Sequence, residues 1–214
     1  MNLAPILYGL ASALTWGAAD FGGGFASKKS SPYAVVIWSD LVGMTAVGIL
    51  ALALGDPLPS LRSMFFVLLS SFCGAIGIII LYRALAGGQM SIAAPVSALM
   101  AAVIPVFVGV IVDGWPKWLT MAGVFLALLA IWLIARAEHE GRNRIHWADV
   151  KMPLVAGVLF GLFFIFMHQA SGESTLWPAV FLRITSAALL TVITLVRRDS
   201  FRVVREHWWL VVFV

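Results

Sequence analysis

The sequence predicts an all-α polytopic membrane protein with seven spans and the start of an eighth, on three observations. First, 62% of the 214 residues are hydrophobic, only 11% are charged and mean hydropathy is +1.00. Soluble domains run about 45–50% apolar and about 25% charged, so this chain cannot cover itself with polar groups in water. Second, seven apolar runs approach the roughly 20 residues that a helix needs to cross a bilayer. Third, runs such as FLALLAIWLIA do not alternate, which argues against the short dyad-repeat strands of a membrane barrel.

The spans are expected at Leu3–Gly24, Tyr33–Leu54, Ser63–Leu85, Ser91–Val112, Lys117–Ala135, Met152–Ala170 and Leu176–Val196. The first lacks a basic leader and is too long for the apolar core of a signal peptide, so it reads as a span. Most links between spans are short and carry turn residues: GGGFASKKSSP, GDPLPSLR, AGGQ, DGWP and SGES. The stretch RAEHEGRNRIHWADVK, residues 136–151, is longer and more polar. It divides the chain into residues 1–136, a charged loop at 137–151, and residues 152–214. After RRDSFRVVREH comes WWLVVFV, too short to span, which is read as an eighth span that is cut off; the sequence is then expected to be a fragment.

Charge and cysteine usage narrow the classes further. Cys73 is the single cysteine, so neither an internal disulfide nor a cysteine-built zinc site is expected. The hydrophobicity excludes disorder. The net charge of +4 comes from residues in the loops, where it reads as a topological signal and not as a nucleic-acid surface. With alternating crossings, Lys28, Lys29, Arg83, Arg136, Arg142, Arg144, Lys151, Arg197, Arg198, Arg202 and Arg205 fall on one side, against Arg62 and Lys117 on the other. The basic side should be cytoplasmic, with the 136–151 loop inside and the N-terminus outside a cell membrane.

An internal repeat is visible. LYGLASALTWGAADF (7–21) lies over VAGVLFGLFFIFMHQ (155–169), and YAVVIWSDL (33–41) over WPAVFLRIT (177–185). Five spans separate the copies, so they would face opposite ways across the membrane. Inverted repeats of this kind recur in transporters, with substrate held near the midplane between them.

LTWGAADF in the first span and YRALAGGQMSIAAPVSALMAAVIPVFVGVIV across spans three and four resemble the EamA-like family of the drug/metabolite transporter superfamily. The matching features are Trp16-Gly17, Tyr82-x-Ala84-Leu85, Ser91, Pro95 and Pro105; MAGVFLALLAIWLIA is similar to the family's glycine-led fifth helix. The resemblance implies a ten-helix inverted-repeat transporter fold, with a first five-helix repeat at 1–136 and a partial second one at 152–214. It also implies a permease exporting or importing a small metabolite. Many relatives place their termini in the cytoplasm, opposite to the charge bias here. In the family, a glutamate often follows span four; here Asp113 lies near that place.

No catalytic motif stands in the chain: HExxH, GxSxG and the P-loop are missing. ALGD at 53–56 lacks the first glycine of an intramembrane aspartyl protease. No cofactor or metal is expected. A membrane enzyme or a non-transporting scaffold are the rival classes, and the expected partners are the lipid bilayer, a small-molecule substrate and protons as a coupling ion. Ionisable groups inside spans are the sharpest functional signal, because charge in hydrocarbon is costly. Asp20 and Asp40 each stand ten residues from Ser30, so a helix hairpin puts them at similar depth, roughly 9 Å from the loop. They could share and exchange a proton, or be hydrated near the interface beside Lys28 and Lys29. His168 aligns with Asp20 in the repeat and reads as a proton group or as an interfacial histidine. Arg183 needs a carboxylate, a carbonyl or an anionic substrate, unless it snorkels to the outer interface.

Pro95 and Pro105 each free a carbonyl in span four and fall near one face with Ser91. That face would line a substrate path or simply kink a packing helix. Trp115, Trp118, Trp147, Trp177, Trp208 and Trp209 fit an interfacial belt. Trp16 and Trp38 sit deeper. Trp16, four residues from Asp20, shares its helix face and would suit a cationic or amphipathic amine; Trp38, near Asp40, is a second pathway candidate, for which a lipid-facing or packing role is the better reading.

Overall fold

The computed structural model describes residues 3–87, 90–137, 147–172 and 174–213. These form α1 (Ala4–Ala26), α2 (Pro32–Leu54), α3 (Leu61–Ala86), α4 (Met90–Asp113), α5 (Trp118–Ala137), α6 (Trp147–Ala170), α7 (Trp177–Arg197), a 3₁₀ turn (Arg205–His207) and α8 (Trp208–Phe213). No strand occurs among the described residues. The all-α polytopic reading holds. Five helices are both long and apolar enough to cross a membrane: α2, α3, Ile92–Asp113 of α4, Val150–Ala170 of α6, and α7. In α1 the glycines, Trp16 and Asp20 dilute an otherwise sufficient length, and α5 contributes the apolar stretch Trp118–Ile131.

Local chemistry sets the helix ends. Prolines open α2 and α7 in the first turn, where the missing N–H is not needed. Ser60 caps α3 by accepting a bond from the Ser63 N–H at 3.3 Å. The helix α6 begins at Trp147, before the apolar run that starts at Met152, because backbone hydrogen bonding runs on through polar residues that hydropathy discounts. The expected inter-repeat loop lies largely outside the described residues, at 138–146.

The centre of the bundle is α3, which packs on α6 and α7 and also meets α1, α2 and α4. Its Tyr82, Leu81, Leu85 and Val67 are buried. Two of its serines bridge helices: Ser70 Oγ donates to the Phe163 carbonyl of α6 at 3.1 Å, and Ser71 Oγ to the Leu182 carbonyl of α7 at 3.0 Å. Such bonds hold helices together where lipid offers no hydrophobic drive between them. The helix α4 packs on the far side of α6, and α5 packs on α4. Leu52, Leu54, Phe107, Ile111, Phe125 and Val196 are exposed, as suits side chains facing lipid chains.

Interloop contacts agree with alternating crossings. At one end Ser31 Oγ donates to Asp199 Oδ2 at 3.2 Å, Ser30 Oγ accepts from the Val204 N–H at 3.1 Å, and Trp38 Nε1 donates to the Phe201 carbonyl at 3.1 Å. The guanidiniums of Arg83 and Arg197 lie over the Tyr33 ring at this basic end, 5.0 and 5.9 Å from its centroid. At the opposite end Asp56, just past α2, meets Ser174–Trp177 before and at the start of α7.

Candidate functional site

A cavity of about 530 Å³ opens between α1, α2, α3, α6 and α7. Its polar wall is built from three helices. Asp20 comes from α1, Ser39 and Asp40 from α2, Arg183 and Ser186 from α7. Arg183 Nη1 meets Asp40 Oδ1 at 3.5 Å, and this is an ion pair between α2 and α7. Asp40 lies about 12 Å in from one end of α2, and Arg183 about 9 Å in from the opposite end of the antiparallel α7. The pair therefore closes across the middle of the bundle. Its side chains are 9% and 30% exposed, respectively.

A missing side chain makes the pair possible. Gly43 stands three residues after Asp40 on the same helix face, and the Arg183 guanidinium lies directly on it. A Cβ at Gly43 would come within 2.5 Å of Arg183 Cζ. The contact is loose by the standard of charge-assisted bonds, which run about 2.7–2.9 Å. Asp40 Oδ2 is buried and has no close hydrogen-bond partner among the described residues; the Ser186 hydroxyl, one turn along α7, is the side-chain donor that bears on the carboxylate.

The opposite wall is aromatic. Trp16 lies edge-on to Phe163 with centroids 6.2 Å apart and tilted on Phe164 at 5.9 Å. Phe160 and Tyr82 also line the space. Tyr82 is 1% exposed and within electrostatic reach of Asp20, Asp40 and Arg183. Asp20, one turn past Trp16, faces the cavity and makes no hydrogen bond or ion pair among the described residues.

Of the residues singled out in the sequence, the cavity gathers Trp16, Asp20, Asp40 and Arg183. Asp40 is paired with Arg183 and not with Asp20, and Arg183 turns inward instead of snorkelling. Trp38 does not line the cavity; it bonds the Phe201 carbonyl and packs edge-on to Trp208 at 5.2 Å. His168 is exposed outside the cavity. Pro95 and Pro105 are half-buried within α4, which contributes nothing to the lining because α6 stands between. The side chain of Ser91 lies outside the described residues. Sequence reasoning missed Gly43, Ser186 and the phenylalanines of α6, and it marked Tyr82 only as part of a family motif, not as a cavity residue. Of the missed residues, Gly43 carried a readable signal, a glycine one turn from a buried acid.

A second acidic site lies beyond the spans. Asp56 Oδ2 accepts from Ser174 Oγ at 2.6 Å and from the N–H groups of Leu176 and Trp177 at 2.9 and 3.2 Å; Oδ1 accepts from the Thr175 N–H at 3.4 Å. The indole of Trp177 returns a bond to the Asp56 carbonyl at 2.8 Å. Asp56 thus caps α7 from another hairpin, meeting orphan donors and the positive helix end together. The Ser174 hydroxyl, with the three backbone N–H groups, holds its carboxyl down at about 2 against an ordinary 3.8.

A bundle of long apolar helices around a charged internal cavity defines a multi-pass membrane protein of transporter type. Residues 3–136 match the EamA-like transporter family, and the chain belongs to that family. Neither a curated protein nor a solved structure matches it.

Proposed function

We infer that this protein moves a small metabolite or an amphipathic organic compound across the membrane by alternating access. The observation that carries this reading is the cavity at mid-bundle, where a carboxylate of α2 meets a guanidinium of α7 beside the free carboxylate of α1. Buried charge is retained in a membrane where it handles ions or substrate. In this reading residues 1–136 form one repeat, 137–151 the linking loop and 152–214 part of the second. The Asp40–Arg183 pair then joins the two repeats, and transport rocks one against the other. Asp20 and Asp40 are the groups through which a proton gradient would drive accumulation. His168, Trp38, Ser91, Pro95 and Pro105 belong to the pathway only as it opens beyond the cavity.

The test is flux in proteoliposomes across amines, amino acids, sugars and nucleotides, with and without a pH gradient. Saturable, protein-dependent flux is expected. Asp20→Asn should abolish gradient-driven accumulation while leaving exchange without a gradient; wild-type accumulation in correctly inserted Asp20→Asn protein removes Asp20 from coupling. Orientation is read separately. In a Cys73→Ala background, Lys29→Cys should be shielded from an impermeant thiol reagent outside intact cells and Lys117→Cys labelled; the reverse pattern inverts the topology.

A further inference from the structure

The cavity's charge balance and its aromatic wall narrow what it can hold. Three of its hydroxyls have already spent their protons on helix carbonyls: Thr15 Oγ1 on Ala11 at 3.0 Å, Ser39 Oγ on Val35 at 2.8 Å, and Ser71 Oγ on Leu182 at 3.0 Å. A hydroxyl has one proton, so each of these oxygens offers the cavity lone pairs only. The charges lean the same way. Asp20 and Asp40 face the space with one guanidinium between them, and that guanidinium is engaged by Asp40. Among the described residues Asp40 Oδ2 has no close donor, with the Ser186 hydroxyl bearing on the carboxylate, and Asp20 has neither a hydrogen bond nor an ion pair. Ser186, Tyr82, the Trp16 indole and the remaining Arg183 N–H groups also bring donors to the cavity, so the charge balance decides: two carboxylates against one guanidinium leave the site short of one positive charge. Its remaining wall is the Trp16–Phe163–Phe164 cluster, an aromatic surface that attracts a cation by its ring faces and an apolar body by burial. A volume of about 530 Å³ is in the range that encloses a small organic molecule, about 300–1,000 Å³.

We propose that the cavity binds a singly charged amine that bears at least one N–H and an apolar or aromatic body. The ammonium sits against Asp20 and toward Asp40 Oδ2, and the body lies on Trp16. This rests on the transport reading only in making that amine the cargo.

Titration of the detergent-purified 214-residue protein by calorimetry tests it, with 2-phenylethylamine as the probe. The comparison ligands are neutral 2-phenylethanol, anionic 3-phenylpropanoate and the N,N,N-trimethyl derivative of the amine. The amine should bind saturably and at least about tenfold more tightly than the alcohol or the carboxylate, as loss of a charge-assisted bond implies. The trimethyl compound, with no N–H, should bind more weakly than the amine. Asp20→Asn should weaken the amine about tenfold or more and leave the alcohol unchanged, and Asp20→Glu should keep most of the affinity. Trp16→Leu, which leaves every charge in place, should cost the amine severalfold, and it serves where Asp20→Asn lowers the yield of folded protein. Carboxylate or alcohol binding as tight as the amine overturns the proposal, as does unchanged affinity in Asp20→Asn or no saturable binding of the amine. Equal binding of the trimethyl compound overturns the N–H requirement. Labelled amine in proteoliposomes separates this claim from the transport reading. Binding without flux sinks transport and leaves the ligand class standing, whereas flux of other solutes without amine binding sinks the ligand class alone.

Discussion

Two aspartates reach from α2 and the loop after it to α7, and their surroundings differ in every respect that matters. Asp56 stands outside the spans with four donors on its carboxylate, drawn from the residues that lead into α7 and from its first residue. Asp40 stands inside the bundle with one contact of 3.5 Å and an oxygen left without a partner among the described residues. The half-buried acid at the surface is saturated and the buried acid is not. Energetics alone would favour the opposite arrangement, since an unmet acceptor costs little in water and a great deal in a low-dielectric interior. Asp56 acts as a fastener. Asp40 is left incomplete where incompleteness is expensive, the kind of local inconsistency that sets a site apart from the packing around it.

The sharpest way to break this contrast is Arg183→Ala. It strips Asp40 of its countercharge, and removal of one partner from a buried pair costs about 3–5 kcal/mol. With Arg183 30% exposed, the lower end, about 3 kcal/mol, is expected. Unfolding in detergent should show a large drop in midpoint together with loss of flux. Asp40→Asn combined with Arg183→Gln should cost less than the two single changes added, because the pair acts as a unit. Additive costs would mean that the contact carries no coupling.

Asp56→Asn should have a smaller effect, confined to stability, with transport retained. Its pH dependence is specific. The carboxyl titrates at about 2 in the folded protein against an ordinary 3.8, so its contribution is complete above the higher value and fades as pH falls through the lower one. Thermal midpoints of wild type and Asp56→Asn should therefore converge between those two values. A constant gap across that window would mean that the cap is not electrostatic.

The subtlest change is Gly43→Ala. Alanine is the better helix former by roughly 0.5–1 kcal/mol, so overall stability should hardly move. Its methyl group nevertheless occupies the place of the Arg183 guanidinium. Transport should fall, and Arg183→Ala should cost less stability in the Gly43→Ala background than in wild type, because the guanidinium is already displaced there. Equal losses in both backgrounds would deny Gly43 its role as a seat for the guanidinium.

How much of this could be read from the chain follows from the range of the interactions. The seven long helices were legible because each is announced locally, by an apolar run ended by proline, glycine or charge. Asp20, Asp40, Arg183 and Trp16 were legible as candidates because ionisable and aromatic groups inside a span carry a cost that demands a reason. Their pairing was not. Asp40 and Arg183 are joined across α2 and α7 by a helix register that no local pattern encodes, so hairpin depth suggested Asp20 as the neighbour. The phenylalanines of α6 were hidden for a different reason: in an apolar run, the residues that face a cavity have the same composition as those that face lipid. Pro95 and Pro105 mark a helix by their chemistry, yet which side of α6 that helix packs on is a tertiary fact.

The mounting of α1 has a mechanical consequence. At its basic end, Gly22, Gly23, Gly24 and Ala26 are buried, and Gly23 carries the Tyr82 ring directly on its backbone. From there toward the N-terminus the described side chains are mostly exposed, up to the edge contacts of Trp16 with α6. A rod clamped at one end is a cantilever, and its deflection grows with distance from the clamp. Asp20 is three residues from Gly23, about 4.5 Å along the axis, and Trp16 is seven residues away, about 10 Å. A small tilt at the clamp swings the indole more than twice as far as the carboxylate. The indole wall can then yield by more than the carboxylate beside it, so the cavity is soft at its aromatic side and stiff at its charged side.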